Sequence, residues 1–283
     1  MIRTNGSKGR LSIGGRWMVG LLGLFLASAG LQTARAESVR NEVPWVRLMP
    51  EKPADLESGE CLLEAYTYYM GYKKNAGDCA AVGGLARFDI GHGWEVRFFG
   101  DIPSWQQPSD IGLGDVAAGV KWNFLKGEYS AAAAFDLEFP SGTKEFREPG
   151  PEPTLSLILS RKFGSFEPSC TVSGTYASSE DGEKDYFSTL LTIGLDYTLN
   201  DVHSFGLFAT GYTPANSTDH SSRISAGISY TYTLDECNSY SITFTKGFSE
   251  RGMDWSIALS FDYSFNIHSL FRAKRPLPDR YGG

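Results

Sequence analysis

Arg87, Asp89, Glu95 and Arg97 fall on alternate residues of two neighbouring segments, and Lys121, Asp136 and Glu138 follow with the same spacing. Side chains two apart on an extended chain share one face. With Glu64 they would therefore gather charges of both signs on one wall. Such a wall suits two chemistries. It could impose a transverse field that guides a small polar or amphipathic solute, or neutralise itself as a salt-bridge network filling a narrow interior. Later segments carry hydroxyls in the same pattern: Ser169, Thr171, Ser173, Ser225, Ser229, Thr231, Ser241, Thr243, Ser256 and Ser260, with Asp196 and Asp262 as the acidic exceptions. Arg87, Arg97, Lys121, Asp136, Glu138 and Glu95 are the candidates for the narrowest part of a solute path.

Catalysis is not expected. A nucleophile needs a base within hydrogen-bond reach, most often His. His92 and His203 fall in short turns, His220 in a longer loop and His268 beyond the last periodic segment. No Cys and His spacing matches a zinc site. The loop acids Asp110, Asp115, Asp181, Glu183, Asp185 and Asp219 read as solvated side chains rather than calcium or magnesium ligands. Gly112-Leu113-Gly114 precedes no helix, so it is no nucleotide fingerprint. No cofactor and no metal is expected. Cys61, Cys79, Cys170 and Cys237 leave disulfide pairing open, because an even count favours it while their positions at strand ends do not.

The elements that must hold these residues are strands. In VKWNFLKGEYSAAAAFDLEF (residues 120 to 139) helix propensity favours the four alanines, but the apolar positions recur every second residue. Twelve such segments follow one another: about 61–72, 80–90, 94–102, 114–124, 128–139, 153–163, 168–178, 187–199, 203–213, 222–234, 238–247 and 254–265. Most have about the nine to eleven residues a tilted strand needs to cross hydrocarbon, whereas strands of soluble sheets usually have about five or six. Connections after odd segments are long (KKNAGDC, PSWQQPSDIGL, PSGTKEFREPGPE, SEDGEKDY, PANSTDHS, FSERGM), and those after even segments are short (GHG, LKG, GSFE, NDV, DEC). Barrels of outer membranes sort their loops this way, with the short turns in the periplasm. Val116 to Phe124, Leu155 to Leu159, Leu191 to Tyr197 and Trp255 to Phe265 would turn their apolar alternates to lipid.

Residues 1–36 carry five bases and no acid around the apolar run VGLLGLFLASAGL, followed by Ala34-Arg35-Ala36. The run is shorter than the roughly 18 residues of a spanning helix, so it reads as a cleavable secretory signal. Its removal after Ala36 would leave 21 Lys plus Arg against 33 Asp plus Glu, a formal charge of −12. That balance argues against a nucleic-acid partner. Residues 37–59 read as a periplasmic N-terminal extension, either linker or plug, and 266–283 as a periplasmic basic tail.

DIGLGDVAAGVKWNF at 110–124 and AAAFDLEFPSGT at 132–143 resemble the MetA-pathway of phenol degradation family of outer-membrane proteins. The resemblance rests on Gly112 to Asp115, Gly119 to Trp122 and Pro140 to Gly142, and in style it covers about 60–265. It implies an outer-membrane transporter with a role in uptake of aromatic or other hydrophobic compounds.

The expected fold class is therefore all-β, a transmembrane antiparallel up-and-down β-barrel of about 12 strands over 60–265. The expected function is a channel or transporter in the bacterial cell outer membrane for small solutes, including aromatic or hydrophobic compounds. The alternative is a non-conducting surface binding or structural barrel with a salt-bridged lumen. Expected partners are outer-membrane lipid and lipopolysaccharide, the barrel assembly machinery and a small-molecule solute.

Overall fold

The alternating segments hydrogen-bond to one another in chain order and close on themselves. The computed structural model describes residues 56–73, 77–106, 110–144, 146–178, 186–213, 222–250 and 252–267. The expected signal at 1–36, most of the extension at 37–59 and nearly all of the basic tail lie outside the described residues. The strands are β1 (Glu60–Tyr72), β2 (Asp78–Gly91), β3 (Trp94–Gln106), β4 (Asp110–Gly112), β5 (Val116–Leu125), β6 (Tyr129–Phe139), β7 (Glu152–Arg161), β8 (Phe166–Ala177), β9 (Tyr186–Thr198), β10 (His203–Tyr212), β11 (Arg223–Thr233), β12 (Asn238–Gly247) and β13 (Met253–Asn266). Each neighbouring pair is antiparallel, and β1 pairs with both β2 and β13. β4 only prolongs the end of β3, through Ser104↔Gly112 to Gln106↔Asp110. The molecule is a closed antiparallel barrel of twelve spanning strands. Part of the connection expected at 103–113 is thus a small hairpin, because β3 runs four residues past its expected end.

Closure leaves no free edge along the twelve spanning strands, so their backbone polar groups are satisfied without water, the condition for a sheet in hydrocarbon. The side chains sort accordingly. On β7, Leu155, Leu157 and Leu159 are exposed, while Thr154, Ser156 and Ile158 are buried between them. On β9, Leu191, Ile193 and Leu195 point out and Thr192 points in. The outside is apolar and the inside largely polar, the reverse of a soluble barrel. Aromatic pairs ring the rim of the short turns on the outer surface. Trp94 stacks on Trp122 at 5.4 Å, Phe166 meets Tyr197 at 4.9 Å, and Tyr240 meets Phe261 at 5.0 Å.

The turns follow from local chemistry. His92 and Gly93 both have positive φ, 55° and 79°, as the tight two-residue hairpin between β2 and β3 requires. In the turn after β11, the Asn238 side-chain amide and the Cys237 N–H donate to Asp235 Oδ1 at 2.7 and 2.9 Å. These bonds hold the Asp235 carboxyl below the usual carboxylate range. At the opposite rim, Asp115 is buried and ties down the connection between β6 and β7. It accepts from Gly142 N and Glu148 N, both at 2.7 Å, while Thr143 N donates to Leu113 O at 2.9 Å. Asp115 is therefore no solvated loop acid. All four cysteines are free, with Cys61 and Cys79 near opposite ends of the barrel wall.

Candidate functional site

The interior is built from the inward alternates of the strands. All six charged candidates lie on the adjacent run β2, β3, β5 and β6, and the register brings most of them to neighbouring levels. Arg87 faces Arg97, Glu95 faces Lys121, and Gly119 stands between Arg97 and Asp136.

Each arginine is matched by a carboxylate. Arg87 donates from Nε and Nη2 to Glu95 Oε2 at 2.9 and 2.6 Å. Arg97 grips Asp136 with two bonds, Nε to Oδ1 at 2.6 Å and Nη2 to Oδ2. Asn123 Nδ2 donates to Glu95 Oε1 at 2.7 Å. Lys121 is fully buried, and Glu138 is half-buried opposite Glu152. Two-point guanidinium to carboxylate bonding fixes orientation as well as charge. The charged wall is thus an ordered network rather than a row of free cations.

Gly119 makes the longer of these pairs possible. Arg97 on β3 and Asp136 on β6 must meet across β5, and a Cβ at position 119 would collide with the Asp136 carboxylate. The glycine of the GVKW stretch is a clearance for an ion pair. Its signal in the sequence is a glycine at an inward position, flanked by opposite charges on the next strand to either side.

The hydroxyl wall runs over β7 to β13, and much of it is bonded in cross-strand pairs. Thr154 meets Thr175 at 2.8 Å, Ser156 meets Ser173 at 2.8 Å, Thr192 meets Thr210 at 3.1 Å and Thr231 meets Ser241 at 2.9 Å. Asp262 accepts from Ser239 at 2.9 Å, and Glu167 accepts from Ser160 at 3.0 Å.

A third component was not expected from the sequence. Tyr66, Tyr68 and Met70 on β1 join Ala81 on β2, Leu190 on β9, Tyr212 on β10 and Met253 and Ala258 on β13 in one buried apolar cluster. β1 and β9 stand on opposite sides of the ring, so the cluster bridges the interior nearer the rim of long connections. Asp101 on β3 anchors it, accepting from Tyr66 Oη at Oδ1 and from Tyr68 Oη at Oδ2, both at 2.7 Å. The reading by alternation missed it because β1, ECLLEAYTYYMGY, is largely apolar or aromatic on both faces beyond Glu64 and shows little contrast there.

No family model matches the chain, and no curated protein matches it either. Solved structures do. A COG4313 outer membrane channel from Pseudomonas putida F1 superposes with a TM-score of 0.64 at 11% identity, over 77% of this chain and 99% of that one. The NanC porin gives 0.55 at 11% identity over 71% and 98%. The KdgM porin gives 0.50 at 13% identity over 71% and 99%. These likenesses show the fold, an outer-membrane type of barrel. The barrel implied by the resemblance to the MetA-pathway family is the fold observed, while membership of that family has no matching model.

Proposed function

We propose that this protein is a passive channel or facilitator for small solutes, seated in the outer membrane of a bacterium. The observation that carries the reading is the inversion of the barrel, with a largely apolar exterior around a charged and hydroxylated interior among the described residues. A barrel whose interior served only as packing could be apolar throughout, and buried charge is costly unless it has a task or a partner. The short turns then face the periplasm, the segment at 1–36 directs export, and the barrel assembly machinery, lipid and lipopolysaccharide are its partners. Arg87, Glu95, Arg97, Lys121, Asp136 and Glu138 border the path on one side. The tyrosine cluster narrows it above, offering an apolar surface to the amphipathic or aromatic solutes that the MetA-pathway resemblance suggests.

The same cluster favours a second reading, a barrel that does not conduct, since side chains from opposite walls already meet. Planar-bilayer recording of the refolded chain decides between them. Stable single-channel steps are expected, and their absence from a preparation with heat-modifiable gel migration and β-type circular dichroism would leave the binding or structural barrel. Alanine at both Arg97 and Lys121 should change conductance or selectivity if these residues border the path.

A further inference from the structure

Four directly opposed cross-strand pairs on inward positions are acid against acid: Glu64↔Asp262, Asp89↔Glu95, Glu167↔Asp196 and Glu138↔Glu152. Like charges directly opposite destabilise a sheet, so one such pair is a cost and four need a reason. Three of the pairs lie in the half of the interior near the short turns. Glu64↔Asp262 and Asp89↔Glu95 share one side, and Glu167↔Asp196 lies across from them. Against these six carboxylates, the described inward strand positions of this half hold three cations, Arg87, Arg97 and Lys121, of which Arg87 is already committed to Glu95 and Arg97 to Asp136.

Two buried oxygens sharpen the point. Ser169, 7% exposed, is two residues from Glu167 on the same face, beside Asp196 across the ladder, and its Oγ has no hydrogen-bond partner. Asn123, 4% exposed, spends its amide N–H on Glu95 and leaves Oδ1 without a partner. These unused oxygens sit beside the paired carboxylates, where acceptors outnumber cationic groups, an arrangement that suits an ammonium group or a hard metal cation better than an anion.

Resting on the channel reading above, we infer that the vestibule near the short turns is a cation filter, and that the solutes this barrel passes carry positive charge. The neutralised arginines offer no track for anions, and the carboxylates on both sides raise the local concentration of cations.

The test is the reversal potential of the refolded protein in a planar bilayer under a potassium chloride gradient. Potassium is expected to be preferred over chloride. Glu64→Gln with Asp262→Asn, and separately Glu167→Gln with Asp196→Asn, should lower that preference by about twofold per charge removed, for an ion about 8 Å away in a water-like dielectric. Removing like-charge repulsion should not impair folding, and the wild-type potential alone decides the sign. Conductance that is unselective or prefers chloride overturns the inference and leaves the channel intact. A folded barrel without conductance overturns both.

Discussion

Arg97 and Asp136 stand on strands that do not pair with each other, and their ion pair exists because residue 119 has no side chain. Both partners are almost wholly buried, so removing one leaves the charge of the other uncompensated. Arg97→Ala should therefore cost about 3–5 kcal/mol, whereas Arg97→Met combined with Asp136→Leu should be near neutral. Urea unfolding in detergent micelles measures both, and equal losses for the single and double variants would contradict the pairing. The charged residues themselves were legible from spacing alone, since alternation assigns a face without knowing the partner. Which charge meets which was not. Pairing across an intervening strand depends on the level each residue reaches in the closed, staggered sheet.

Among the elements, the connection between β6 and β7 carries a prediction of its own. Asp115 holds two of its backbone N–H groups, Gly142 and Glu148, and Gly142 packs so closely that an added Cβ would come within 2.6 Å of Leu113 O. Asp115→Ala should free this connection while the barrel stays closed. Faster amide exchange and new protease cleavage confined to 140–151 would verify it, and unchanged protection would show that other contacts suffice. The Gly-Leu-Gly-Asp and Pro-x-Gly stretches were recognisable as motifs in the sequence. Their meaning was not, because one closes on the other from nearly thirty residues away. β1 fails differently. Its apolar inward residues pack against Leu190 and Tyr212 across the interior, so the contrast between faces that marks the other strands is absent.

At the scale of the whole molecule, the outward positions of the described strands form a largely apolar surface, of the kind hydrocarbon covers. Ile193, exposed near the middle of β9, is a direct probe. Ile193→Arg should destabilise the barrel in lipid by about 2–4 kcal/mol if it lies near the bilayer midplane. An unaffected unfolding midpoint in liposomes would place Ile193 outside the hydrocarbon. The sequence by itself determined the twelve spanning strands, the sorting of long and short connections and the face each residue takes. These depend on a period of two and on local turn chemistry, which any short window displays. Only the tertiary structure decided that the arginines are neutralised, that tyrosines bridge the interior, that the cysteines stay apart and that acid faces acid at four places. Those outcomes depend on register and on contacts across the ring, which arise when distant strands close into one sheet.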